Sequence, residues 1–345
     1  MLAALCAGIL SVAAPAMAQA PERELSPAEE TVLRRDANFL LLSMAEDLAE
    51  ENGARALALA ARLRTQALEA EAYNAGREVP FEIVDAKIAR WLEQAERSGA
   101  DDPVTIALTL PLLRSIDAQR HADAVQRWRD AEPDNLAPLL HAGLSADALL
   151  QAARGTYRSD DHFTQILRLT AQVVERPRSG PVGRVLQRVV DAGEGGRSTY
   201  AATLGTGIAA ANLPQYADLT RACRAPEGLR RLQCRHVGEA MSLRGGTLLE
   251  RIVGIRLLQE TAEDDAQRGQ AAALRRRYDW LTARNAELSR RDLEDHASRM
   301  LAQLRTTPAP GEVEMLERLL LDLGIPTEPP AGWRAEDEPA LRRGR

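Results

Sequence analysis

From Ser26 to Leu323 the apolar positions recur every three to four residues, and no stretch alternates convincingly at two. That period belongs to the helix, so the chain is predicted to be all-α. Ser26-Pro27-Ala28-Glu29 is a capping box with proline at the first helical position. Leu33, Ala37, Leu40, Leu41, Met44 and Leu48 then share one face, and Asn52-Gly53 stops that helix. A second helix runs to Asn74-Ala75-Gly76. A third follows Pro80, with Ile83, Val84, Ile88, Trp91, Leu92 and Ala95 inward, and stops at Ser98-Gly99.

Asp101-Asp102-Pro103 opens a helix over 104–116, interrupted by Pro111, and a partner covers 118–131. Glu132-Pro133-Asp134-Asn135 opens a shorter pair at 135–143 and 145–153. Ser159-Asp160-Asp161 caps a helix carrying Ile166, Leu167, Thr170, Val173 and Val174. Arg176-Pro177-Arg178-Ser179-Gly180-Pro181 cannot continue it and reads as an internal boundary. Helices are then expected at 182–192, 198–210, 213–223, 227–243, 247–264, 266–283, 286–304 and 311–323. Gly205 and Gly207 suit a close backbone contact, and Thr247-Leu248-Leu249-Glu250 is a second capping box.

Two helices between prolines 30 residues apart, Pro103 and Pro133, resemble the tetratricopeptide class of helical-repeat proteins over about residues 100–155. The resemblance implies helical hairpins in an α-solenoid array over 26–176, and hence a concave surface for a protein or peptide partner. A smaller disulfide-pinned helical domain is expected over 182–323. From Gly324 onward four prolines sit among charges, so 324–345 reads as a disordered tail, with Trp333 the one residue there suited to dock.

The amino terminus changes the setting. An uncharged apolar run ends in Ala16-Met17-Ala18, small residues at the positions a signal peptidase reads. Residues 1–18 are therefore expected to be a signal peptide, cleaved after Ala18 or, as second choice, after Ala20. The usual basic segment ahead of the run is missing, which points to a start upstream of Met1. Export to the periplasm or medium makes cysteines disulfide partners rather than redox thiols. Cys223 and Cys234 flank the turn 224–228 between two helices, within reach of each other across a helical hairpin. Leu229, Leu232, Val237 and Met241 are expected to pack beside them.

Composition adds limits. The chain is 45% hydrophobic but only 3% aromatic, which suits helices packed through Ala and Leu and disfavours β-sandwiches. The net charge of −6 offers no reason to expect nucleic-acid binding. Between Asp218 and Arg251, seven arginines face four acids. Arg221, Arg224, Arg230, Arg231 and Arg235 are thus a candidate anion-binding patch, against the plainer reading of a solvated face with ion pairs. Arg275-Arg276-Arg277 carries the same two readings.

Catalytic signatures are missing. Five histidines, at 121, 141, 162, 236 and 296, lack metal-ligand spacing. Asp160-Asp161-His162 sits where acids favour a helix start, so capping is the expected role. No G-x-S-x-G elbow occurs, and Gly193-Glu194-Gly195-Gly196 has no strand before it. The expectation is an exported scaffold that binds a protein or peptide in the cell envelope, without catalysis, cofactor, metal, nucleic acid or a membrane span after cleavage. The alternative is a cell-wall enzyme of the glycan hydrolase or lytic transglycosylase type.

Overall fold

A computed structural model describes residues 26–77, 84–193, 195–306 and 310–335. The expected signal peptide with its cleavage sites, Ile83 and residues 336–345 of the tail lie outside them. Among the described residues there are sixteen α-helices and no strand, so the all-α expectation holds. The only extended pairings among them are two isolated bridges, Asn135 with Arg158 and Ser159 with Gly245.

The chain divides into two units that interleave in sequence, 26–133 with 165–213, and 134–164 with 214–335. The expected sequential division at 176–182 is therefore corrected. The first unit contributes α1 (Pro27–Glu51), α2 (Ala54–Asn74), α3 (Ala86–Ser98), α4 (Pro103–Ile116) and α5 (Ala118–Ala131). The chain then supplies the second unit with α6 (Ala137–His141) and α7 (Ala146–Ala152). It returns through α8 (Phe163–Glu175), α9 (Gly180–Ala192) and α10 (Arg197–Ala210). The second unit is completed by α11 (Ala217–Ala222), α12 (Gly228–Arg244), α13 (Leu248–Thr261), α14 (Asp265–Arg291), α15 (Leu293–Leu304) and α16 (Glu312–Asp322).

In the first unit α2 is the central helix, packed against α1, α3 and α4. Its run Leu57-Ala58-Leu59-Ala60-Ala61 is buried on every side. Alanine there lets neighbours approach closely, which explains the low aromatic content. Asn52 ends α1 in the left-handed region at φ 58°, a conformation asparagine tolerates better than most residues. Asp102 caps α4 through the Thr105 amide and takes Arg55 in a two-point contact of 2.8 and 2.6 Å. Pro111 stays inside α4 instead of interrupting it, because every residue from Val104 to Leu113 is buried. Tertiary packing there outweighs the lost amide bond. Gly205 behaves as expected, since a Cβ there would stand 2.4 Å from Leu167. Gly207 has open space around it.

The two helix pairs behind the tetratricopeptide resemblance part company. The pair α4 and α5 lies in the first unit. The next pair, α6 and α7, is only 5 and 7 residues long and belongs to the second.

In the second unit α12 and α13 form a tight antiparallel hairpin, with Gly238 and Gly254 at the crossing. Cys223, at the end of α11, is bonded to Cys234 in α12, with 5.7 Å between their Cα atoms. Both cysteines are fully buried among Leu149, Tyr216, Leu219 and Val237. Met241 joins that core, whereas Leu229 and Leu232 are each 62% exposed, against expectation. They face outward because the disulfide and Val237 fix the inward stripe of α12 half a turn away. The bridge closes a separation of 11 residues. Replacing both cysteines by serine should lower stability by about 2–4 kcal/mol with helical content retained, read by denaturant unfolding and circular dichroism.

The expected disordered tail is corrected over 324–335, which lies against α14. Trp333 meets Trp280 edge to face, ring centres 5.5 Å apart. Ile325 and Trp333 extend the core built from Ile255, Tyr278, Trp280 and Leu320. Proline alone does not make a segment disordered when an aromatic anchor can hold it.

Candidate functional site

Three turns of the second unit converge on the amino end of α13. The Ser159 amide donates to the Arg244 carbonyl at 3.1 Å, the Gly246 amide to the Ser159 carbonyl at 2.6 Å, and the Glu312 amide to the Gly246 carbonyl at 2.9 Å. Asn135 staples the first turn from the other side. Its Oδ1 accepts from the Asp160 amide at 2.9 Å and its Nδ2 donates to the Asp160 carbonyl at 2.8 Å.

Carboxylates fill the space these turns enclose. Glu250 completes the Thr247 capping box as predicted, its Oε2 accepting from the Thr247 amide at 3.1 Å. Its other oxygen accepts from the Ser159 hydroxyl at 2.5 Å, across 91 residues of sequence. Glu312 reaches over from α16, and its Oε2 takes the Leu248 amide at 2.7 Å. Two acids thus satisfy the first free amides of α13, where the helix dipole favours negative charge.

Asp161 differs. Its Oδ1 accepts from the Phe163 amide at 3.1 Å, close to the capping role expected for the Asp160-Asp161-His162 run. Its Oδ2 is buried with no hydrogen-bond partner among the described residues. The Tyr216 hydroxyl is in the same position. His162 takes φ 61°, a strained turn that lets Asp160 accept the His162 amide at 2.9 Å while Asp161 points inward.

Arg251, next in sequence to Glu250, is engaged elsewhere. Its guanidinium donates to the carbonyls of Gly245 and Leu243, to the Tyr278 hydroxyl and to Glu314. With that guanidinium engaged there, burial is the largest influence on the acidity of these carboxyls. Burial pushes the Glu250 carboxyl up to about 7, against the lowering effect of the Ser159 and Thr247 hydrogen bonds. Burial, and next the charge of Glu250 and then Asp160, raises Asp161 well above the usual carboxylate range. Burial also raises Glu312. The Tyr216 hydroxyl is raised by burial first and by Glu250 and Asp161 next.

Acids of raised pKa are the chemistry of a general acid catalyst. Here, however, Glu250 is 0% and Asp161 1% exposed. The cluster fastens three chain segments by hydrogen bonds and is closed to solvent.

The arginine patch does not stand as a free cationic face. Arg221 pairs with Asp218, Arg230 with Asp147, Arg231 with Glu263 and Arg235 with Glu239, at 2.5 to 3.1 Å. Arg224 is exposed. Most of the local excess seen in sequence is cancelled by acids, two of them from other segments. In the triple-arginine run, Arg275 pairs with Asp279 and Arg277 with Glu317 and Glu328, while Arg276 holds tail carbonyls. His236 meets the Ala153 carbonyl at 3.0 Å. Among the described residues no group of three or more His, Cys, Asp or Glu is arranged to hold a metal ion, and no helix is long and apolar enough to cross a membrane.

Sequence reasoning found the capping box and the Asp-Asp-His run but missed their meeting. The one available signal was two polar turns, at 159–162 and 244–247, each followed by a helix, the second opened by the Thr247 capping box.

Over the described residues, the fold and this acid cluster define an all-helical protein with buried carboxyls gathered at the amino end of α13. No family model matches the chain, and no curated protein or solved structure matches it.

Proposed function

We propose that this chain is an exported α-helical scaffold that binds a protein or peptide partner in the cell envelope and catalyses no reaction. The observation that carries the reading is the complete burial of Glu250 and Asp161. The groups with the acidity of catalysts are tied into the fold at backbone amides and a serine, where a substrate does not reach them. What the molecule offers outside is helix surface, paired charge and exposed leucines. The helical-repeat form of the reading rests on the packed pair α4 and α5. The apolar run ending at Ala18 supports export, as does a disulfide between Cys223 and Cys234.

One observation favours the enzyme alternative. Glu250, raised to about 7 beside a second acid, has the acidity of a glycosidase general acid. Two experiments decide between the readings. In the first, protein recovered from the periplasm is expected to begin at Gln19 or Pro21 by N-terminal sequencing; a chain still beginning at Met1 removes export. In the second, wild-type protein is incubated with purified cell-wall sacculi. No soluble glycan fragments are expected. Fragment release that is lost in Glu250→Gln would establish the hydrolase instead.

A further inference from the structure

We infer that the cavity walled by α14 and residues 333–335 is a binding site for a small organic oxyanion, one whose phosphate or carboxylate head carries at least two negative charges. The inference goes beyond the scaffold role and does not depend on it.

The triple-arginine run noted in the sequence supplies the first part of the site. The cavity measures about 680 Å³, and its lining includes Arg275, Arg276 and Asp279 from α14, Gln259 from α13, and Trp333 and Arg334 from the tail. Three guanidiniums line it against a single carboxylate, on a chain whose net charge is −6. A volume of this size belongs to a small organic molecule rather than a bare ion.

The hydrogen bonds already made leave donors for such a ligand. Arg275 gives only Nε to Asp279, at 2.9 and 3.0 Å, so both of its Nη groups are without an acceptor among the described residues. Arg276 gives Nε and Nη2 to the carbonyls of Trp333, Pro330 and Ala331, which leaves Nη1. Arg334 is exposed and makes no ion pair among the described residues. A guanidinium stays charged at every ordinary pH, and its planar fork matches the geometry of a phosphate or carboxylate.

The folded tail is what sets these donors in place. The Trp333 amide donates to the Pro330 carbonyl at 3.0 Å and closes a turn. Ile325 and Trp333 pack on the core, and the Trp333 ring meets Trp280 at 5.5 Å. Arg276 ties the same turn to α14 through its carbonyls. Arg334 therefore extends from an anchored segment, and its backbone has little freedom left to lose when an anion arrives.

The test is isothermal titration calorimetry of the full-length chain at low ionic strength, where charge pairing is least screened. Inorganic pyrophosphate and citrate are the probes, one for each kind of head. At least one is expected to bind saturably, one per chain, and the tighter of the two tells phosphate from carboxylate. Arg334→Glu and Arg275→Gln are each expected to weaken that binding by roughly tenfold or more. Arg299→Gln, which removes an exposed arginine outside the lining, is expected to leave it unchanged. Arg334 is exposed, so its variant tests the site without disturbing the core, and circular dichroism checks the fold of each variant. The acids Glu336, Asp337 and Glu338 follow Ala335 in sequence. A second background carrying Glu336→Gln, Asp337→Asn and Glu338→Gln is expected to bind at least as tightly. Saturable binding of neither probe in both backgrounds would overturn the inference. So would binding that Arg334→Glu and Arg275→Gln leave unchanged, or an equal loss in Arg299→Gln, which would mark a general effect of charge.

Discussion

Replacing Gly254 by alanine is expected to destabilise the second unit by about 3 kcal/mol, although alanine is the better helix former by about 1 kcal/mol. A Cβ at this position would stand 2.4 Å from the Ser242 amide nitrogen, 2.7 Å from the Met241 Cβ and 2.8 Å from the Gly238 carbonyl oxygen. Two of those three atoms are backbone, so no flexible side chain can yield. The helices α12 and α13 must move apart, and the hairpin carries both the disulfide and the amino end that holds the acid cluster. Gly269, in the exposed part of α14, is the control. A Cβ there meets nothing within 4 Å, so Gly269→Ala is expected to stabilise by about 0.5–1 kcal/mol. Urea unfolding of both variants measures the pair. Equal effects of the two substitutions would show that the hairpin does not depend on backbone contact.

The second large effect is a dependence on pH that runs opposite to ordinary acid denaturation. Glu250 is raised from 4.5 to about 7 by burial, so the folded second unit binds a proton that the unfolded chain releases. The associated stability is fully present below about pH 4.5 and is lost as pH rises through about 7. A carboxyl raised that far loses roughly 3 kcal/mol of stabilisation once both the folded and the unfolded forms are ionised. Asp161 adds to it in the same direction. Glu250→Gln keeps a neutral hydrogen-bonding group at every pH and is expected to flatten most of this slope. Glu250→Ala strands the Ser159 hydroxyl and the Thr247 amide and is expected to cost about 2–4 kcal/mol at any pH.

Other carboxylates work the other way. Asp134 is held low, chiefly by its hydrogen bond from Arg158. In the first unit, Asp85 and Asp102 are raised by burial but lowered further by Arg64 and Arg55. Their contribution is present above about pH 3.8 and lost as pH falls below it. Hydrogen exchange, read unit by unit between about pH 4.5 and 8, is expected to show the second unit opening more readily as pH rises while the first does not. A second unit equally protected at both ends of that range would refute the proton-holding cluster.

Much of this molecule is written locally. Helix starts such as Ser26 and Thr247 with their glutamates need only four residues to form, and the structure places both boxes where the pattern put them. The disulfide was legible because a short hairpin turn leaves its two cysteines little freedom. The inward stripes of α1 and α3 follow from a period that any buried helix obeys. Where the local pattern misled, a neighbour distant in sequence had intervened. Pro111 should end a helix and does not, because ten consecutive positions of α4 are buried. The arginines of α12 read as a cationic patch until Asp147 and Glu263 arrive from elsewhere.

The sequence by itself thus determined helix content, the capped helix starts and the cysteine pair, since each depends on interactions within a few turns of chain. Tertiary structure alone decided how the segments share two units, why Gly254 admits no side chain, and where residues 325–333 come to rest. It also decided that Ser159 meets Glu250 among buried acids. A hydrogen bond that spans 91 residues leaves no period or spacing in the sequence, and the change in acidity arises only when folding removes water from both partners.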